Sequence, residues 1–477
     1  MTSLQDQVQI FHATMEMYAH AKRFNERWLA DPAFRTVLFR DPERAISEYA
    51  LPVDADETRG IIAGDTERAG SIARGIQAIS AMKSVLMDQW YGAEATASDP
   101  RFAAWRARQQ ARMRLELGPF QTKASVRAAW NAELTRGCSG GCWFCNMSAQ
   151  ALSAIAPADA QGLEEWRTIL LALQARLGPA MRTGFLDGAT DPFDHPSYEA
   201  FCRAVLDVAG FFPPTSTALA LRDPNRSRQF FAEAKKAGCW SVRLTIRDQH
   251  ELDAVHATFS SEELAHVQLN AFSPQSSFVF SLAGRYRERF LDDPGFAARE
   301  RRKLAFAPWY TKSRDYREDD SYPIDANTGV VGFTVNMVDR TVSLVAPRPS
   351  SDALPLGFQT FDRVTFKNAD GFASSIETLI ERWMKERLDD SDSVRFWRGL
   401  RCERVPNGVR LHGRFRQYTD ISDAAHGSLI QTIADRLREG TTVGSLLRAP
   451  DVNPDAAAPL LQRFYDNGLL EGTRLYD

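Results

Sequence analysis

Apolar residues recur at helical spacing through the first 125 or so residues, as Phe34, Leu38, Ile46 and Tyr49 illustrate. Asp31-Pro32 and Asp41-Pro42 each join a side-chain acceptor to a proline in the first turn, which predicts two helix starts. From about 126 to 290 the pattern changes. Short apolar runs near 130–135, 183–187, 215–221, 240–246 and 267–272 alternate with amphipathic stretches at 162–176, 197–209, 226–237 and 249–257. That alternation predicts parallel βαβ units with right-handed crossovers. Residues 291–327 are charged and irregular in pattern, with Arg299, Arg301, Arg302 and Lys303 clustered on what reads as a solvated helix face. Strand character returns at 330–347, with a hairpin turn near Asp339-Arg340. A helix at 374–386 and an acidic linker containing Asp389, Asp390 and Asp392 follow. In the tail, Val409 and Leu411 predict a short strand. Leu429, Ile430, Ile433 and Leu437 predict a helix ending at Gly440. Further helices begin at Val443 and run through Leu460, Leu461, Phe464 and Tyr465 to Gly468. Four units result: 1–125, 126–290, 291–400 and 405–477.

Composition narrows the function classes. The 477 residues carry 58 Lys+Arg against 61 Asp+Glu, a net charge of -3, with 44% hydrophobic and 25% charged residues, the balance of an ordinary globular chain. A mildly acidic chain is a poor binder of nucleic acid. No run approaches the roughly 18 apolar residues of a membrane helix, and the start lacks the basic and apolar blocks of a secretory signal. Of six cysteines, Cys138, Cys142 and Cys145 crowd together, whereas Cys202, Cys239 and Cys402 stand alone. Without a signal peptide, a tight trio predicts a reduced metal site in the cytoplasm rather than a disulfide framework.

The trio lies in ELTRGCSGGCWFCNMS, just after the first predicted strand. Three thiolates at intervals of four and three residues suit three corners of a [4Fe–4S] cluster, and Ser139, Gly140 and Gly141 let the loop fold closely. The fourth iron would lack a protein ligand and stay open to a small molecule. A zinc site is the competing reading. Zinc fingers present ligands in two pairs, and no fourth Cys or His here has companion spacing. His250 and His256 lack zinc-protease spacing, the 389–392 acids lack a calcium-loop pattern, and neither a nucleophile elbow nor a phosphate loop is present.

The CxxxCxxC spacing, with Phe144 before its last cysteine, resembles the radical S-adenosylmethionine superfamily. The resemblance implies a partial (β/α)6 TIM-like barrel behind a helical N-terminal region. It also implies a [4Fe–4S] cluster on Cys138, Cys142 and Cys145 that binds S-adenosylmethionine. FLDGATDPFDHP resembles the family's Gly-Gly-Glu-Pro segment, implying cofactor contacts at Gly188, Thr190 and Asp191, with Asp187 as a rival acid. His195 reads as a turn residue of that loop. Thr245 sits where the family places a ribose-contacting hydroxyl, although β propensity also explains a strand-end threonine. In such enzymes an electron from the cluster cleaves the sulfonium, and the resulting 5′-deoxyadenosyl radical abstracts hydrogen from an unactivated C–H bond.

Two further likenesses point to a peptide substrate. The tail resembles the small winged-helix modules that bind the leader of a ribosomally made precursor peptide by strand addition. The whole layout is similar to the PoyD-like radical S-adenosylmethionine peptide epimerases, through the helical N-terminus, the DGATDPFDHP loop and the 332–347 segment. That likeness implies L-to-D epimerisation, with Cα hydrogen abstraction followed by donation from a thiol. Cys402, in RGLRCERVPNG, is the expected donor, because Cys202 and Cys239 read as core residues. An external donor such as flavodoxin or ferredoxin would supply electrons. The alternatives are peptide cross-linking or another C–H modification, RNA modification using the 299–318 stretch with Trp309 and Tyr310, and a peptide-binding scaffold without catalysis.

Overall fold

The structure is a computed structural model that describes residues 3–92, 95–118, 121–122, 127–306, 322, 324–327 and 329–472. Trp309 and Tyr310 lie outside them. The N-terminal region is helical as the periodicity predicts: Leu4–Met17, Ala19–Ala30, Pro32–Arg40, Pro42–Glu48, Ala55–Ala63, Gly70–Trp90 and Pro100–Glu116. Asp31 and Asp41 each accept the backbone N–H three residues on, with proline at the first helical position. These helices clasp the strand-bearing region. Val8, Phe11 and Met15 enter its core, Lys22 Nζ donates to the Leu264 carbonyl (3.0 Å), and Arg23 donates to that of Phe259 (2.6 Å).

Strands and helices then alternate. Strand β1 (Ala128–Glu133) leads through two short paired strands, β2 (Thr135–Arg136) and β3 (Ala154–Ile155), to a helix at Ala160–Leu177. Strands β4 (Thr215–Thr217), β5 (Val242–Ile246) and β6 (Val267–Ala271) form a parallel sheet, with helices Pro224–Lys236 and Gln249–Thr258 between them. The expected strand at 183–187 is a correction. A 3-10 turn occupies Gly178–Thr183, and the segment meets β1 through one bridge, Asn131 to Phe185. Gly184 permits that approach, since a Cβ there would stand 2.0 Å from the Trp130 ring.

The far side of β1 pairs in parallel with β7 (Val330–Asn336), which continues through antiparallel β8 (Thr341–Pro347) and β9 (Phe358–Thr365). The turn falls at Arg340, which takes a left-handed φ of 52°. Val331, Phe333, Val335, Val342, Leu344 and Ala346 are buried on one face of this sheet, in the core shared with Phe102, Trp130 and Trp166. The 330–347 hairpin is therefore part of the central body rather than of a separate 291–400 unit, and β9 had no counterpart in the sequence reading. The charged stretch carries the solvated helix face expected of its basic cluster. Gly284–Asp292 and Pro294–Phe306 are helices, the second started by Asp293, which accepts the Phe296 N–H (2.9 Å). Their apolar stripe (Tyr286, Phe290, Phe296, Leu304) packs inward while Arg301 and Arg302 stay exposed. The fold is mixed α/β, and the described strands form no closed barrel. Among the described residues, no helix is long and apolar enough to cross a membrane.

A second core lies at the C-terminus. It combines β10 (Ser393–Phe396), an antiparallel meander of β11 (Arg401–Val405), β12 (Gly408–His412) and β13 (Tyr418–Ser422), three helices, and short strands β14 (Thr441–Thr442) and β15 (Leu470–Gly472) flanking β10. It starts before the expected boundary at 405, because Val394, Phe396 and Trp397 are among its buried residues. Helix Pro100–Glu116 belongs to both cores. Phe102, Trp105 and Met113 face the central one and Leu115 the other, while Arg108 stacks on Tyr465 (4.2 Å) and Arg112 on Trp397 (5.2 Å).

The β1–β7 contact hinges on Gly332, where a Cβ would stand 2.0 Å from the Ala129 carbonyl oxygen. A backbone atom cannot swing aside, so Gly332→Ala is expected to cost about 3 kcal/mol. Urea unfolding measures this, and a loss below about 1 kcal/mol would contradict so close an approach.

Candidate functional site

The cysteine loop leaves the end of β1 and folds back on itself. Gly137 has φ 81°, and a Cβ there would meet the Ala151 carbonyl at 2.3 Å. Next, Cys138 N–H donates to Gln150 (2.8 Å). Cys145 N–H donates to the Cys142 carbonyl and Ser148 N–H to that of Cys145, both at 3.2 Å. Gly140 sits between two thiols, for a Cβ would lie 3.3 Å from Cys138 Sγ and 3.7 Å from Cys142 Sγ. Backbone N–H groups point at sulfur: Gly140 at Cys138 (3.2 Å) and Ala149 at Cys145 (3.4 Å).

Neighbouring elements pin this loop from outside. Asp194 accepts the Ser139 N–H (2.7 Å) and binds Arg222 (3.1 Å), whose other nitrogen donates to Ser139 Oγ (2.6 Å). Arg247, at the end of β5, donates to the Gly140 carbonyl (2.6 Å) and is itself braced by Glu251 (2.8 Å). Trp143 and Phe144 drop into an aromatic cluster, Phe144 lying 4.8 Å from Phe272 and 5.1 Å from Phe280 between ring centroids.

A cleft of about 350 Å³ opens over the loop. Cys138, Cys142, Phe144, Cys145, Asp187, Gly188, Thr190, Asp191 and Thr245 all line it, together with Ala218, Phe272 and Phe280. Gly188 is tightly placed, with a Cβ position only 2.4 Å from Asn131 Nδ2. The two acids differ. Asp191 is buried and accepts from Phe193 N–H (3.0 Å), Thr217 Oγ1 (2.7 Å) and Ala218 N–H (2.7 Å), so it organises the loop. Asp187 is half-buried and accepts from Ser216 N–H (2.8 Å), which leaves it the more open carboxylate. Burial pushes each of them up to about 6. Burial likewise pushes the Cys138 thiol up to about 11 and Cys142 to about 12, far from the depressed values of reactive thiolates. Thr245 is half-buried on β5, opposite Asn270 of β6.

Cys402 is not brought to this cleft. It lies in β11 opposite Leu411 and packs against the C-terminal core, so the polar connecting segment expected there is a strand. Cys202 and Cys239 are buried core residues as expected. His195 serves its turn: Nδ1 accepts the Ser197 N–H (3.1 Å), so Nε2 donates to the Ala156 carbonyl (2.8 Å), and burial lowers its pKa. The sequence reading missed Asp194, Arg222 and Arg247. The last could have been suspected from a charged residue ending the apolar VRLTI strand.

Among the described residues, no three His, Cys, Asp or Glu side chains converge on a single-ion site. No protein-family model matches the chain, and no solved structure matches it. It is similar to an uncharacterized protein, y4wI, of Sinorhizobium fredii, 28% identical over 482 residues that cover 95% of this chain and 87% of that protein.

Proposed function

We propose that this chain is a radical S-adenosylmethionine enzyme that modifies a ribosomally made precursor peptide, with L-to-D epimerisation as the leading reaction. One juxtaposition carries the proposal: the cysteine loop, the 187–191 segment and Thr245 of β5 come from separate parts of the chain and line one cleft. In this reading β1, the 184–187 segment, β4, β5 and β6 are five of the six staves of a partial (β/α)6 barrel. The C-terminal unit is a winged-helix-like module that takes a leader peptide along a strand edge.

The chain's donor set suits the cluster. Each thiolate of a cluster binds a different iron, so three sulfurs spread around a loop are appropriate, whereas one zinc ion needs ligands converging to about 2.3 Å. The N–H of Gly140 favours thiolate at Cys138, and that of Ala149 is aimed at Cys145 Sγ. Bound there, a [4Fe–4S] cluster and S-adenosylmethionine would supply the chemistry of hydrogen abstraction from an unactivated C–H bond. Asp187 would hold the cofactor's ammonium, while Asp191 holds the loop that carries Gly188 and Thr190. Thr245 would hold the ribose, and Phe144, Phe272 and Phe280 would exclude water from the cleft. The partners are the precursor peptide and a cytoplasmic reductant such as flavodoxin or ferredoxin. One observation favours a second reading. The thiols lining the cleft are the three proposed ligands, so peptide cross-linking or another C–H modification, which needs no thiol donor, fits without Cys402.

Anaerobic reconstitution is expected to load about four irons per chain. Replacing Cys138, Cys142 and Cys145 with Ala should abolish that iron and the 5′-deoxyadenosine formed with dithionite and S-adenosylmethionine. Zinc in the native site, or iron retained by the triple variant, would overturn the proposal. Asp187→Ala should weaken S-adenosylmethionine roughly tenfold or more in equilibrium binding. The Asp187 carboxyl is raised to about 6 and ionised above it, so wild-type affinity should fall as pH drops below about 6, while Asp187→Asn shows a smaller fall, the remainder coming from Asp191. For the reaction itself, mass spectrometry of the peptide product in D2O separates the two readings. Epimerisation adds one deuterium per site, whereas a cross-link removes two hydrogens.

A further inference from the structure

A second cavity, of about 410 Å³, lies beside the cysteine cleft and shares Asn146, Met147, Gly188 and Ala189 with it. Its floor is the face of the β1-β7-β8-β9 sheet turned away from the core. Strand register sets Asn131 beside Thr334, Thr334 beside Ser343 and Ser343 beside Arg363, so one row of hydrogen-bonding side chains crosses all four strands. Glu133, Asn336 and Thr341 form the next row. Phe185, Val330, Val345 and Phe358 make an apolar end.

The charges here are already engaged. Glu133 accepts from Ala189 N–H (3.0 Å) and Asn336 Nδ2 (2.9 Å), Asp339 pairs with Arg136, and Arg363 Nε donates to Ser343 Oγ (3.0 Å). What remains is a surface of carboxamides and hydroxyls with one exposed guanidinium, Arg363, fewer cations than a phosphate backbone needs. Asn131 stands out. It is 3% exposed, lines the cavity, and its Oδ1 has no hydrogen-bond partner among the described residues. A buried acceptor without a partner calls for a ligand that brings a donor.

We propose that this cavity seats an uncharged, extended peptide main chain, with Asn131 accepting a substrate N–H and the apolar end taking a side chain. The inference rests on the proposed function for the peptide nature of the substrate, and on the sheet geometry for everything else. A main chain alternates N–H and C=O groups, which suits a floor whose hydroxyls and carboxamides both donate and accept.

The test uses the full chain and a capped hexapeptide, acetyl-Ala-Asn-Val-Ala-Asn-Val-amide, titrated by ligand-observed NMR. Saturable binding is expected, weakened tenfold or more by Asn131→Leu. Thr360→Trp should weaken it equally by filling the groove, and Thr360 is exposed, so its thermal midpoint should match wild type. Failure of the wild type to bind, or unchanged binding in Asn131→Leu, would overturn the inference; so would preferential binding of hexathymidylate, which would make nucleic acid the occupant. Iron content reads the cofactor proposal separately. A chain that holds iron but binds no hexapeptide sinks this inference alone. One that binds the hexapeptide through Asn131 but never holds iron keeps the cavity and loses the radical chemistry.

Discussion

Strand β1 lies between two partners, β7 along one edge and the Phe185 segment along the other, and that double contact sets most of the geometry around it. Because side chains alternate across a strand, Trp130 and Ala132 go into the core while Asn131 and Glu133 turn to the cavities. The strand's end then delivers the chain into the cysteine loop. A slip of one residue in its register would exchange the two sets, burying carboxamide and carboxylate and turning an indole to the solvent side. Gly184 and Gly332 make the double contact possible, each by having no Cβ where a neighbour passes closely.

The cysteine loop depends on that strand for position and on its neighbours for shape. Its backbone is tied inside the loop and from outside by Asp194 and Arg247, carried by elements of the parallel β/α region, and by Arg285 of helix Gly284–Asp292. Such bracing fixes where the sulfurs sit without any bond between them. Burial holds the Cys138 and Cys142 thiols well above their ordinary range.

Local signals were the legible part of the sequence. Asp-Pro pairs and 3.6-residue periodicity located the N-terminal helices, and alternation of apolar runs with amphipathic stretches located β1, β4, β5 and β6. The cysteine spacing and the two loop segments that share its cleft were legible as well. Long-range pairing was not: nothing in VVGFTVN says that it runs parallel to AAWNAE, which is distant in the chain. The role of Asp191 was obscured for a different reason. Asp191-Pro192 carries the same capping signature as Asp31-Pro32, and it does start a short 3-10 turn, so its carboxylate is occupied by backbone donors. In RCERV, charged residues hid a strand whose cysteine packs against a core some way along the chain from the cluster loop.

Helix Pro100–Glu116 contributes side chains to two hydrophobic interiors at once. Any torque on the C-terminal unit is thereby carried straight into the body beneath β7, through Arg108, Arg112 and Leu115. The C-terminal unit is thus held at a fixed bearing to the two clefts rather than on a free tether.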